Sequence, residues 1–114
     1  MPDRLKRTRR ATLSKQRLAT LIEEATVDCH DESEAVMGLY TMIEDHLDVP
    51  FATTVLGVDV SVVGIELNER EEIVAVCVRG KKRQAIPVCD LPLPSPPPPG
   101  AEWIEAYRHW ASCG

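Results

Sequence analysis

Seven carboxylates lie between Asp28 and Phe51, in a stretch that carries no lysine or arginine. Carboxylate oxygens are the ligands that hard divalent cations such as Ca²⁺ and Mg²⁺ prefer in proteins. This density of uncompensated negative charge therefore predicts a cation site. The candidate ligands are Asp28, Asp31, Glu32, Glu34, Glu44, Asp45 and Asp48.

The acids at the two ends of the helix predicted for this stretch differ in their effect on helix stability. Acids in the first turn complement the positive end of the helix dipole, and Asp31 can form a capping box with Glu34. Helix stability alone therefore explains the acids of the first turn. Glu44, Asp45 and Asp48 crowd the last turn, where the dipole disfavours each by a few tenths of a kcal/mol. These three acids therefore favour a bound cation.

Helix geometry divides the acids into two clusters. Glu34 and Asp45 are eleven residues apart, roughly 16 Å along a helix axis, which is too far to share one ion. Glu44 and Asp48 at i,i+4, with Asp45 beside them, can converge on one patch. Because calcium takes about six to eight oxygens, carbonyls, water or other acids must complete each site; the acids proposed for this are Glu69, Glu71 and Glu72. An acidic face that binds no ion is the alternative.

Hydrophobic periodicity predicts the elements that position these acids. A first helix begins near Thr12 and closes before Asp28, and a second begins near Asp31 and ends before Pro50. Their apolar stripes are formed by Leu18, Leu21, Ile22 and Ala25 in the first helix and by Val36, Leu39, Tyr40, Ile43 and Leu47 in the second. Gly38 indicates close packing of a neighbouring element against the second helix.

A series of strands follows the helices. The pattern predicts strands over residues 51–58, 58–67, 73–79 and 84–89, with a bulge or bend at Gly64, where the apolar alternation changes phase. Short connections favour antiparallel pairing. We therefore expect an α+β fold in which two N-terminal helices and a C-terminal helix pack on a small antiparallel sheet or a partly closed barrel.

The domain organisation follows from composition. Residues 1–11 form a basic, flexible arm, residues 12–91 the helix-helix-sheet core, and residues 92–100 a proline-rich spacer that cannot form a helix or ladder. Residues 101–112 form a C-terminal helix, whose aromatic side chains predict that it docks on the same core. The chain is thus expected to be one domain.

Charge and hydropathy limit the partners and the compartment. Residues 18–114 carry six lysines and arginines against seventeen acids, a balance that attracts cations and disfavours nucleic acid. No secretory signal and no membrane span is predicted, so we expect a cytoplasmic protein. In that compartment the four cysteines are expected as free thiols, and their spacing disfavours structural zinc.

The sequence suggests no catalytic chemistry. No phosphate-binding loop, nucleophile elbow, paired-histidine motif or EF-hand loop occurs, so we expect a protein that is not an enzyme. A second hypothesis is a protein–protein interaction module, in which a partner binds the proline-rich segment and the basic arm.

The chain also resembles a known family. The pattern D-x-x-D-E-x-E-x-x-x-G-x-Y-x-x-I-E-D from Asp28 to Asp45 is followed by Pro50-Phe51, by R-G-x-x-R-Q-A-I-P-V-x-D-L and by W-I-E-A-Y-R-H-W. It is similar to small bacterial calcium-binding proteins of the CcbP type. The resemblance implies a compact α+β protein that binds calcium without EF-hands and acts as a buffer or regulator. The matching acids are Asp28, Glu34, Glu44 and Asp45; Gly38, Pro50 and Phe51 match as structural residues. The shorter, less acidic strand region and the proline spacer depart from the cyanobacterial form.

Overall fold

The computed structural model of the chain describes residues 13–113. The predicted basic arm, residues 1–11, lies outside them. In chain order the elements are helix α1 (Lys15–Ala25), helix α2 (Glu32–His46), strands β1 (Phe51–Val55), β2 (Val58–Leu67), β3 (Ile73–Arg79) and β4 (Lys82–Pro87), a short 3-10 helix (Val88–Asp90) and helix α3 (Ala101–Trp110). The α+β class is confirmed. Between residues 13 and 113, none of the helices has the length and apolarity needed to cross a bilayer.

Both N-terminal helices begin at side-chain caps. The Ser14 hydroxyl accepts a hydrogen bond from the Arg17 backbone N–H at 3.0 Å, so α1 begins at Lys15. Asp31 caps α2, as predicted. The helices then pack closely at Gly38, where a Cβ would overlap the Ala25 carbonyl oxygen. Glycine is required there because the backbone of α1 occupies the space of a side chain.

The four strands form an open antiparallel sheet in the order β1-β2-β3-β4. Since β1 and β4 are its edges, the sheet alternative is confirmed and the partly closed barrel is wrong. The predicted irregularity at Gly64 is confirmed, because the register between β2 and β3 shifts between Val62 and Gly64.

The boundaries of the hairpins differ from those expected. The strand predicted over residues 51–58 ends at Val55, because Leu56 and Gly57 adopt positive φ angles of 50° and 78° in a tight turn. That conformation suits a two-residue hairpin, but Leu-Gly lacks the usual Asn or Asp that announces one. The last strand begins at Lys82 rather than residue 84.

The segment between the 3-10 helix and α3 runs across the body without regular secondary structure. The Pro92 carbonyl accepts a hydrogen bond from Thr53 Oγ1 at 2.6 Å, and the Pro99 carbonyl accepts one from the Asp48 backbone N–H at 3.0 Å. Gly100 then turns the chain in a left-handed conformation against the His46 carbonyl. These contacts fix where α3 begins.

Helix α3 contributes to the same apolar core as the other elements. Trp103, Ile104 and Tyr107 are buried there with residues of α1, α2 and the helix-facing side of the sheet. The Arg108 side chain donates to the carbonyls of Val88 and Leu91. Burial lowers the pKa of this guanidinium from its usual value, although Glu105 and Asp90 oppose the shift.

The expectation of four free thiols is wrong for two of them. Cys89 and Cys113 form a disulfide, with Cα atoms 5.6 Å apart and a sequence separation of 24. The spacing could not reveal the pair, because α3 returns its C-terminal end to the 3-10 helix only in the folded chain. Cys29 and Cys77 are free, the first partly exposed and the second buried.

Candidate functional site

The first turn of α2 uses two of its acids for capping. Asp31 Oδ1 accepts a hydrogen bond from the Glu34 backbone N–H at 2.9 Å, and Glu34 Oε1 accepts one from the His30 backbone N–H at 2.6 Å. Both acids therefore lie at the positive end of the helix dipole, where a negative charge is most favourable. Each acid makes its bond through one carboxylate oxygen, and the other oxygen can act as a ligand.

A third acid reaches this turn from the sheet. Ser33 Oγ donates to Glu71 Oε2 at 2.7 Å, which joins the first turn of α2 to the connection between β2 and β3. Glu71 has a positive φ of 61°. The neighbouring Asn68 organises this connection, since its Oδ1 accepts the backbone N–H groups of Arg70 and Glu72 at 2.9 Å each. Glu71 thus adds an oxygen donor beside the capping acids.

Two further carboxylates lie near the Tyr40 hydroxyl in the middle of α2. This hydroxyl is within 3.0 Å of Glu44 Oε2 and 3.4 Å of the Ile65 carbonyl oxygen. Burial of the hydroxyl, its hydrogen bond to Glu44 and the negative charges of Glu44 and Glu66 raise the pKa of Tyr40 above its usual 10.0. The negative charge of two carboxylates therefore converges here, between α2 and β2.

The C-terminal end of α2 does not have the geometry expected for its acids. The helix ends at His46 and Leu47 is extended, so Asp48 lies beyond the last turn. The i,i+4 spacing from Glu44 to Asp48 consequently does not apply, and that expectation is corrected. Asp45 and Asp48 are exposed, and the Asp48 backbone points its N–H at Pro99.

The remaining two predicted ligands lie near the start of α2. Asp28 is exposed in the connection from α1, with a left-handed φ of 68°. Glu32 lies with Asp31 and His30 on a cleft of about 390 Å³ that Trp110 of α3 also lines. The structure thus places the seven acids in an N-terminal group and a C-terminal group, as helix geometry required.

The oxygen atoms of these groups are suitable ligands for a hard cation, although they do not form a complete coordination site. Within residues 13–113, no three or more His, Cys, Asp or Glu side chains come close enough to hold a metal ion together. Two of the acids near α2 instead lie beside a hydroxyl, Glu71 beside Ser33 and Glu44 beside Tyr40. Oxygen donors of this kind fit calcium, and water molecules complete many such sites.

Sequence reasoning overlooked Glu66 and could name Glu71 only among three possible helpers. Both acids approach α2 through the pairing of β2 with β3, which sets which residue of each strand faces the helix. The bulge at residue 63 changes that phase. No sequence signal identifies Glu66, because its proximity to Tyr40 follows from the contact between the Tyr40 hydroxyl and the backbone carbonyl of the neighbouring Ile65.

Comparison with known proteins supports the family suggested by the sequence pattern. A model of the CcbP-type calcium-binding family matches residues 19–111. Anabaena CcbP shares the fold, with a TM-score of 0.68 at 19% identity over 89% of this chain and 94% of that one.

A second structure, of a calcium-binding protein in its calcium-binding form, gives a TM-score of 0.66 at 18% identity over 86% of this chain and 91% of that one. None of the curated proteins matches the sequence. Because the family model spans most of the chain, including all of α2, the sheet and α3, the protein belongs to the CcbP-type family of calcium-binding proteins.

Proposed function

We propose that the protein binds Ca²⁺, and more weakly Mg²⁺, through carboxylates on and around α2, and that it acts as a calcium buffer or regulator. The observation that carries the proposal is the family match over residues 19–111. The calcium-bound relative of the same fold supports it.

The proposed ligands form two groups. The N-terminal group consists of Asp28, Asp31, Glu32 and Glu34, with Glu71 delivered by the Ser33 contact. The C-terminal group consists of Glu44, Asp45 and Asp48, with Glu66 near the Tyr40 hydroxyl. Calcium tolerates irregular coordination with several waters, whereas Mg²⁺ demands a near-octahedral site and gives up its water reluctantly. Exposed carboxylates of residues 13–113 that form no complete octahedral site therefore favour calcium.

Calorimetric titration of the full chain with Ca²⁺ and with Mg²⁺ tests the proposal. We expect heat with calcium and an increase in thermal stability, because a ligand that binds only the folded state adds about 2.7 kcal/mol at a hundred times its Kd. Changing Glu44, Asp45 and Asp48 to Gln, Asn and Asn should weaken calcium binding at least about tenfold, or 1.4 kcal/mol. The same changes at Asp31 and Glu34 keep the helix cap, since the amides retain an acceptor oxygen.

The matched control changes two acids of α1, Glu23→Gln and Glu24→Gln, which are exposed and belong to neither group. This control should keep the calcium affinity of the unchanged protein. If neither ion produces heat or a shift in melting temperature, calcium binding is excluded. If binding is present but weaker than the range of about 10⁻⁸ to 10⁻⁵ M in which cytosolic binders and sensors operate, the buffer or regulator role is contradicted.

A further inference from the structure

The two hairpin turns of the sheet lie at one end of the molecule. Because the four strands are antiparallel and neighbours in sequence order, the turns at Leu56–Gly57 and at Gly80–Lys81 share an end, whereas the connection that carries Glu71 lies at the other. We call the first of these the hairpin end. It is separate from the first turn of α2, which contacts Glu71 through Ser33.

The apolar side of the sheet continues to the hairpin end without being fully buried. A groove of about 540 Å³ is lined there by Val55, Val58, Val60 and Ile86. Val60 faces the same side as Val62, which is 0% exposed in the core, because the two residues are two positions apart on β2. Towards the turn the side chains become exposed to solvent, since Val58 is 43% and Leu56 97% exposed.

Positive charge borders this groove. Arg79, Lys82 and Arg83 line it, and residues 79–83 hold four of the six lysines and arginines that follow residue 17. Arg79 Nη1 donates to the Asp59 carbonyl oxygen at 2.9 Å, which fixes the guanidinium across β2. In a body with an excess of acids, the hairpin end is thus a local basic patch around an apolar groove.

We propose that the hairpin end binds an acidic amphipathic segment of a partner protein. Its apolar side chains enter the groove between Val58 and Ile86, and its carboxylates pair with Lys82 and Arg83. We choose an acidic segment because its charge is complementary to the basic patch. Charges at an interface act over about 8 Å at physiological salt, so the attraction of a short segment to the basic patch exceeds its repulsion by the acidic body.

The other occupants fit the groove less well. An anionic membrane presents a wide plane that would also meet the acidic body, and a plane does not fill a concave groove. A second copy of this chain has acidic helices, but most of their apolar residues are buried in its own core, such as Leu39 and Ile43 at 0% exposure, and α2 offers the exposed Met37 instead of an apolar face. A small amphipathic anion would leave Leu56 and Val58 in water.

Fluorescence anisotropy with a labelled peptide of alternating Leu and Glu tests the proposal on the full chain. The double variant Lys82→Glu with Arg83→Glu should weaken peptide binding at least about tenfold. Leu56→Ser should weaken it about threefold or more through the loss of apolar contact. Leu56 lies in a turn and is almost fully exposed, so this variant tests the groove even if the charge variant folds poorly.

Two controls give the result its meaning. The exposed pair Lys15→Glu with Arg17→Glu makes the same charge change on α1 and should leave affinity within about twofold of the unchanged protein. A peptide with Lys in place of Glu should not bind, and chelating calcium should not abolish binding. The last result separates this proposal from calcium binding.

Four outcomes would overturn the proposal. The first is no peptide binding by the unchanged protein. The second is an equal loss with the α1 control, which would indicate unspecific attraction. The third is binding to phosphatidylserine vesicles through the same residues in place of the peptide. The fourth is self-association in sedimentation that the Lys82 and Arg83 changes abolish.

Discussion

At the residue scale, similar side chains serve different purposes according to where the backbone places them. Asp31 and Glu34 stabilise the first turn of α2 by accepting backbone N–H groups. Asp45 and Asp48, at the negative end of the same helix, receive no such benefit. Cation binding is the role proposed for them, and titration of the amide variants tests it.

Gly38 gives the sharpest prediction of stability for a single residue. Gly38→Ala should destabilise the fold by about 1–3 kcal/mol, because overpacking against the Ala25 carbonyl outweighs the roughly 1 kcal/mol gain in helix propensity. Urea denaturation measures the change. Gly64→Ala is the control, since a Cβ there meets no atom within 4 Å. Equal effects of the two substitutions would contradict the packing argument.

The buried thiol of Cys77 gives a prediction for alkaline pH. Burial raises the pKa of Cys77 above its usual 9.0. The unfolded chain ionises first, so the stability from this group is fully present below pH 9.0 and is lost as the pH rises through the raised pKa. Alkylation of the native protein should therefore label the partly exposed Cys29 well before Cys77. Labelling at equal rates would show that β3 is not buried in solution.

At the scale of elements, local rules accounted for what the sequence could predict. The helices follow from their apolar period, and the start of α2 at Asp31 follows from its cap. The turn at Leu56–Gly57 escaped prediction because Leu56 adopts a positive φ that Asn, Asp or Gly usually adopts at that position. The end of α2 at His46, ahead of Asp48, depends on contacts with Pro99 and Gly100, which no local pattern contains.

The arrangement of the candidate site was predictable to the same degree. The acids of α2 and their division into two groups follow from sequence spacing and helix rise. The approach of Glu66 and Glu71 depends on strand register, and the pairing of Cys89 with Cys113 depends on the return of α3. Contacts between distant residues therefore account for what the sequence could not provide.

The disulfide should stabilise the docking of α3. It closes a loop with a sequence separation of 24, for which the chain-entropy model gives about 3 kcal/mol. Cys113→Ser should lower the free energy of unfolding by about that amount in denaturant titrations, and reduction with dithiothreitol should do the same to the unchanged protein. Cys29→Ser serves as the control. Equal stability of oxidised and reduced protein would indicate that the bond contributes nothing.

At the scale of the whole molecule, charge is distributed unevenly. Acids dominate the surroundings of α2, whereas four of the six lysines and arginines that follow residue 17 lie in residues 79–83 at the hairpin end. Repulsion among the acids costs stability in the absence of a divalent ion. The two ends of the sheet thus offer separate surfaces to the proposed cation and to the proposed acidic segment.

Monovalent salt should therefore stabilise the calcium-free protein. Raising the ionic strength from about 0.01 to 0.15 M shortens the screening length from about 30 to 8 Å, which weakens repulsion between exposed acids. The melting temperature should increase in sodium chloride, and the triple change of Glu44, Asp45 and Asp48 to amides should reduce that increase. A melting temperature that falls with salt would contradict a net repulsive surface.

The packing of α1 against α3 has a consequence for synthesis on the ribosome. The sheet pairs only neighbours in the sequence, so its hairpins can form while translation continues. The apolar face of α1, however, rests on a helix made from residues 101–110. Leu18 and Leu21 therefore stay uncovered by α3 in the nascent chain until nearly ninety further residues have emerged. During this period chaperones can bind them.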